Sequence, residues 1–71
     1  MLAISEAQSA RLGLELATIR QEHADMDAAI HTLASTHKAD PMLLLRLKKR
    51  KLALKDRMVE LEKLLLPDII A

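Results

Sequence analysis

Residues 35–41, which read Ser-Thr-His-Lys-Ala-Asp-Pro, divide the chain into two segments of helical pattern. Asp40 and Pro41 are typical of a helix start, because the carboxylate accepts backbone N–H groups and proline has no N–H to leave unpaired. The first helix is predicted to end near Thr36, since the histidine and lysine that follow favour the negative end of the helix dipole. The sequence therefore predicts two helices joined by a turn over residues 37–40.

The outer ends of the two helices are also marked. Ser5 begins a Ser-Glu-Ala-Gln capping box, which predicts a first helix over about residues 5–36. A start near Gly13 is the alternative, because an interior glycine costs about 1 kcal/mol relative to alanine. Pro67 ends the second helix, which is predicted over about 41–66. An apolar tail, 67–71, follows it. The chain is expected to form a single domain.

Each helical segment carries an apolar seam whose steps alternate between three and four residues, as in a coiled coil. The members of the seam are Leu12, Leu16, Ile19, His23, Met26, Ile30, Leu33 and His37 in the first helix, and Leu44, Leu47, Lys51, Leu54, Met58, Leu61 and Leu65 in the second. Because the turn is too short to return the chain for parallel packing, the two helices must run antiparallel. The predicted fold is all-α, an antiparallel two-helix hairpin.

The short turn also predicts the register of the two helices. It sets Ile30 opposite Leu47 and Leu33 opposite Leu44, and it sets Met26 opposite Lys51. In this register the charges beside the seam form attractive pairs, which are Glu22 with Arg57 or Arg50, Asp27 with Lys48 or Lys55, and Arg20 with Glu62. Exposed ion pairs contribute little stability, so we expect these pairs to select the register.

A hairpin of this size buries one seam per helix and leaves the rest of its surface in water. Ordering a residue costs about 1.5 kcal/mol, and a small core rarely offsets that cost without a disulfide or a metal. The chain has 71 residues and no cysteine. We therefore expect the hairpins to associate with one another into a helical bundle.

Two rows of residues indicate the surface that would associate. The leucine row of the second helix has a spacing of seven and consists of Leu45, Leu52, Val59 and Leu66. The small-residue row of the first helix consists of Ala7, Ala10, Leu14, Ala17, Ala24 and Ala28. Heptad positions place both rows on the same side of an antiparallel hairpin, where the alanines allow a second hairpin to approach closely. The alternative is that these alanines only reflect helix propensity.

The second helix is strongly basic in its middle part. Seven of the twelve residues from Arg46 to Arg57 are Lys or Arg, and one is acidic. Such a run can contact phosphate groups of nucleic acid or of an anionic surface, and the candidate contacts are Arg46, Lys48, Lys49 and Arg50. The alternative is that the acidic residues of the first helix supply the counter-charge and pair with several of these cations, while Lys49 and the ammonium of Lys48 still face solvent.

Lys51 is the one charged member of the seam, and a charge there is costly unless it is paired. Asp27 lies beside Met26, the residue opposite Lys51, and is therefore the natural partner of Lys51. We predict that Lys51 and Asp27 form an ion pair, within one hairpin or across an oligomer interface, and that the pair specifies the register.

Composition excludes several classes of protein. The chain has no Phe, Trp, Tyr or Cys, which excludes disulfide scaffolds, zinc–thiolate sites and aromatic stacking surfaces for single-stranded nucleic acid. The row of His23, Asp27 and His31 rotates around the helix, so it converges poorly on a metal. No phosphate-binding loop or catalytic constellation is present. We expect no enzymatic activity, no cofactor and no metal.

Location is suggested by what the sequence lacks. The net charge is +1, no stretch reaches the roughly 18 apolar residues of a membrane span, and the first residues do not form a secretory signal. The lack of cysteine fits a reducing compartment. The cytoplasm is the expected location.

Two elements of the sequence resemble a known family. His23-Ala24-Asp25-Met26-Asp27-Ala28-Ala29-Ile30 and the run from Leu47 to Asp56, Leu-Lys-Lys-Arg-Lys-Leu-Ala-Leu-Lys-Asp, resemble the two elements of the YdcH-like family of short bacterial proteins. The resemblance covers about residues 20–61. It implies a helical hairpin that associates, in a bacterial cytoplasm, and it brings no established activity.

These observations lead to two functional hypotheses. The first is a non-enzymatic interaction module that self-associates and offers its remaining surface to a protein partner. The second is a non-specific binder of nucleic acid or of an anionic surface through the basic helix.

Overall fold

The computed structural model describes residues 5–36 and 38–65, which form two α-helices and no strand. Helix α1 spans Glu6–Ala34 and helix α2 spans Pro41–Leu65. The two helices pack antiparallel along their length, which confirms the predicted all-α hairpin. His37, Leu66 and the predicted tail 67–71 lie outside the described residues.

Helix α1 begins at the capping box. The Ser5 hydroxyl oxygen accepts a hydrogen bond of 3.1 Å from the backbone N–H of Gln8, and the Ser5 N–H donates one of 3.0 Å to Gln8 Oε1. These bonds satisfy two backbone groups that a helix start otherwise leaves unpaired. The helix therefore starts at Glu6 and runs through Gly13, so the alternative start near Gly13 is wrong.

The turn closes both helix ends with side-chain oxygens. The hydroxyls of Ser35 and Thr36 each donate a bond of 2.8 Å to a carbonyl of the last turn of α1, so α1 ends at Ala34, two residues before the predicted end. Asp40 Oδ1 accepts a bond of 2.9 Å from the N–H of Met42, which places Pro41 in the first turn of α2 as predicted.

The core is the predicted seam. Every described member is buried or half-buried, and the most buried residues are Leu16, Ile19, Ile30 and Leu61. Leu61 is the only one of the described residues that is fully enclosed, and it packs with Leu16 and Ile19 at the open end of the hairpin, far from the turn. The half-buried Lys51 separates this cluster from Ile30 near the turn.

Gly13 lies in the interior of α1, where a Cβ atom would meet nothing within 4 Å. We expect Gly13→Ala to stabilise the hairpin by up to about 1 kcal/mol, because alanine loses less backbone entropy on folding into a helix. Thermal unfolding at low protein concentration, followed by circular dichroism at 222 nm, measures the change. Ala10 is exposed in the same helix, and Ala10→Gly is the control in the opposite direction, which should lower the thermal unfolding midpoint. A lower midpoint for Gly13→Ala would contradict the open space seen at this position.

Candidate association face and basic surface

Among the described residues, three ion pairs join the two helices. On one side, Arg20 Nη2 lies 3.0 Å from Glu62 Oε2, and Lys51 Nζ lies 2.8 Å from Asp27 Oδ1. On the other side, the guanidinium of Arg57 donates two hydrogen bonds, of 2.9 and 3.0 Å, to the carboxylate of Glu15.

One of the predicted flanking pairs is present and two are not. Arg20 pairs with Glu62 as predicted. Glu22 forms no ion pair with Arg50 or Arg57. Arg57 instead bonds to Glu15, which lies seven residues before Glu22 in α1, and it also contacts Glu60 on its own helix. The bidentate geometry with Glu15 and the second acid one turn away together explain this choice.

Asp27 pairs with Lys51, and the predicted alternatives Lys48 and Lys55 form no ion pair within the described chain. The side chain of Lys51 is 31% exposed and that of Asp27 is 61% exposed. The lysine stem therefore runs along the seam while its ammonium reaches the surface, where the aspartate accepts its hydrogen bond. This bond, with the positive charge of Lys51, lowers the pKa of the Asp27 carboxyl.

We predict that Asp27 and Lys51 act as a unit that sets the register. Removing Asp27 alone leaves a half-buried ammonium without its acceptor, so Asp27→Ala should lower the unfolding midpoint more than Asp27→Ala combined with Lys51→Met. A double-mutant cycle measured by denaturant unfolding tests this coupling. Effects that simply add would show that the residues are independent and that Lys51 is free to contact a phosphate.

The Glu15–Arg57 contact gives the other side of the hairpin a charge-assisted bidentate bond. The hydrogen bonds from Arg57 lower the pKa of the Glu15 carboxyl, and the same bonds, with the one that Arg57 donates to Glu60, raise the pKa of the guanidinium. Helix α1 therefore carries two carboxylates, Asp27 and Glu15, that are stabilised in their ionised form by side chains of α2.

These lowered pKa values predict a hairpin that loses stability in acid. A carboxyl whose pKa is lower in the folded state contributes stability above its unfolded pKa, and that contribution disappears as the pH falls through the folded pKa. For Asp27 and Glu15 the ordinary values are 3.8 and 4.5, so the loss should occur below about pH 4.5. Urea unfolding between pH 7 and pH 2 measures it. Asp27→Asn combined with Glu15→Gln should flatten the profile, and an unchanged profile would contradict the assignment.

The leucine row is exposed on α2. Leu45 is 52% exposed, Leu52 60% and Val59 36%, whereas Leu66 lies outside the described residues. Val59 precedes Glu62 by three residues and so lies on the side of the Arg20–Glu62 pair. The row therefore faces solvent on that side of the hairpin.

The small-residue row lies on the same side of the hairpin. Ala17 and Ala24 are exposed and lie three residues before and four residues after Arg20. Ala24 and Ala28 line an open recess of about 460 Å³, with Asp27, Ile30, His31 and Ala34. The two rows together, here called the association face, flank the ion pairs of Arg20 and Lys51.

Sequence reasoning missed one residue of this face. Gly13 extends the small-residue row, since it lies three residues after Ala10 and four before Ala17, and that spacing is visible in the sequence. The predicted Arg20–Glu62 and Lys51–Asp27 pairs lie between the two rows and make the centre of the face polar.

The basic run is mostly unneutralised. Two of its seven cations, Lys51 and Arg57, pair with acids of α1. The remaining five are exposed and form no ion pair within the described part of the chain, and they are Arg46, Lys48, Lys49, Arg50 and Lys55. Arg50 lines an open recess with Glu22 and Asp25, without an ion pair to either. Helix α1 therefore pairs directly with two of the seven cations, and Lys48 and Lys49 face solvent as expected even where α1 supplies counter-charge.

The described residues, 5–36 and 38–65, lack two further features. Neither helix is long and apolar enough to cross a membrane. No group of three or more His, Cys, Asp or Glu side chains in these ranges is arranged to hold a metal ion.

Comparison with known proteins gives one match. The model of a family described as "Protein of unknown function (DUF465)" matches residues 16–66, which is more than half of the chain. This family includes the YdcH-like small bacterial proteins, so the match confirms the resemblance seen in the sequence. Neither the curated proteins nor the solved structures give a match.

Proposed function

We propose that this chain, which belongs to the DUF465 family of proteins of unknown function, is a non-enzymatic helical interaction module that self-associates. The exposed leucine row carries the proposal. Three large apolar side chains at a spacing of seven lie uncovered on one face, and a soluble monomer rarely leaves such a continuous row in water. A second copy of the hairpin would cover it.

The amount of exposed surface supports association. The chain exposes 5872 Å², whereas a compact folded protein of its mass exposes about 4,400 Å². Its radius of gyration is 15.7 Å, against about 11 Å for a compact domain of the same length. The excess area is larger than the roughly 800 Å² that each partner loses in a standard protein interface. The excess accessible area of the hairpin is therefore enough for one interface of that size.

The proposed module belongs in a bacterial cytoplasm. The chain contains no cysteine, which fits a reducing compartment, and its family includes small bacterial proteins. The surface outside the association face would remain available to another protein.

Sedimentation equilibrium tests self-association directly. The wild-type chain should sediment at a multiple of its 7.9 kDa mass at micromolar concentration. Leu52→Glu places a charge in the middle of the leucine row and should return the mass to that of one chain. Leu64→Glu is the matched control, because Leu64 is 46% exposed on the other side of α2 and its substitution should leave the mass unchanged. A folded wild-type monomer would overturn the proposal.

The unpaired cations favour a second candidate function, non-specific binding to nucleic acid or to an anionic surface. Arg46, Lys49 and Arg50 are exposed and form no ion pair among the described residues, so their charges are available to phosphate groups. Binding of this kind releases counterions, and its affinity falls steeply as salt rises.

A salt titration separates the two candidates. If the basic surface binds DNA, fluorescence anisotropy with a labelled duplex should show an affinity that drops at least tenfold between 50 and 200 mM salt. Lys49→Glu should weaken the binding, whereas Lys63→Glu, at the far end of the same helix, should affect it less. Self-association through leucine should persist over the same salt range.

A further inference from the structure

The association face contains two unlike rows, and this restricts how two copies can meet. The leucine row of α2 is bulky, while the row on α1 is formed by small residues, including Ala17 and Ala24, with the exposed Leu14 as the one large member. The distance between two packed helices ranges from about 8 to 10 Å with the size of the side chains at the contact. Packing α2 on α2 and α1 on α1 would demand two different distances between the same two rigid hairpins.

Packing α1 of one copy on α2 of the other removes this conflict. Both contacts then pair leucine with alanine, so both have the same distance. A two-fold axis parallel to the helices produces this arrangement. The same contact then forms twice and the assembly ends at two copies, as in most homodimers.

The charges of the two helices favour the same arrangement. Helix α1 carries five acidic residues and two arginines, whereas α2 carries eight Lys or Arg residues and three acids. Placing α1 on α2 brings unlike charges together, while placing α2 on α2 brings two strongly basic helices together.

The residues of the two rows also lie at matching heights along the axis of the hairpin. Lys51 bonds to Asp27, so Leu52 lies at nearly the same height as Ala24. Leu61 packs between Leu16 and Ile19, which brings Val59 close to the height of Ala17. A two-fold axis parallel to the helices keeps these heights, so each large side chain of one copy meets a small residue of the other.

The surface beside Ala24 has the shape that this contact needs. The open recess of about 460 Å³ lined by Ala24, Ala28 and Ile30 lies at the height of Leu45 and Leu52. Gly13 continues the small-residue row, and its open space allows a helix backbone to come close. We infer that the hairpin forms a two-fold dimer in which the leucine row of each copy packs on the small-residue row of the other, with Leu52 against Ala24.

This inference rests on the proposed self-association and is tested by disulfide crosslinking, for which the chain offers a background without cysteine. Ala24→Cys and Leu52→Cys are prepared as separate proteins, checked for unchanged helicity, mixed in equal amounts and oxidised. The mixture should give a covalent species at twice 7.9 kDa, and neither variant alone should give more than a trace. Ala24→Cys mixed with Leu64→Cys is the control and should not crosslink.

The other outcomes separate the inference from the proposed function. Strong crosslinking of Leu52→Cys with itself would show that α2 packs on α2 and would overturn the inferred arrangement. A mass of two or more chains in sedimentation, with no crosslink between Ala24→Cys and Leu52→Cys, would overturn the arrangement and leave self-association intact. A monomer in sedimentation would overturn both.

Discussion

Replacing Leu61 with alanine should destabilise the hairpin by about 2–5 kcal/mol, the usual cost of truncating a buried leucine. Leu61 is 0% exposed and packs in the cluster with Leu16 and Ile19. A chain of this length has a total stability of about 4–10 kcal/mol, so the loss is a large part of the whole. Urea unfolding followed by helical circular dichroism measures the change.

The matched control for this experiment lies three residues further along the same helix. Leu64→Ala removes the same atoms from a side chain that is 46% exposed, and it should change the stability by no more than about 0.5 kcal/mol. Equal effects of the two substitutions would show that Leu61 is not the centre of the core.

The second large effect is a dependence of stability on protein concentration. If folding is coupled to dimer formation, a hundredfold increase in concentration stabilises the folded dimer by about 2.7 kcal/mol, which corresponds to a rise in the unfolding midpoint on the order of 10 °C. Thermal scans of the wild-type chain between 1 and 100 μM should show this rise.

Two variants identify the surface responsible. Leu52→Glu should remove the concentration dependence, because its charge lies in the leucine row, whereas Leu64→Glu should retain it. A wild-type midpoint that is independent of concentration would show that the hairpin is stable as a single chain.

The seam could be predicted because its physical cause is local. Alternating steps of three and four keep side chains on one face of a helix, and this rule holds even for His23 and Lys51, whose polarity argues against burial. The helix starts were predictable for the same reason, since Ser5 and Asp40 bond to backbone groups two or three residues away.

The partners of the surface charges could not be predicted from the sequence. Glu15 and Glu22 occupy the same heptad position one repeat apart, so the pattern does not distinguish them as partners of Arg57. The choice depends on how far a long side chain extends along the neighbouring helix, and on Glu60, which holds the guanidinium from the other side. Heptad positions predict the side of the hairpin on which a charge lies and leave its individual contact open.

The cluster at the open end determines how the hairpin opens and closes in time. The contacts at this end join residues about forty positions apart, as the separation of 42 between Arg20 and Glu62 shows. Closing a loop of that length costs more entropy than forming the turn. We therefore expect folding to proceed from the turn and the Leu61 contacts to form last. Interactions absent from the transition state act on the unfolding rate. Leu61→Ala should therefore shorten the lifetime of the closed hairpin, and its unfolding rate measures this effect.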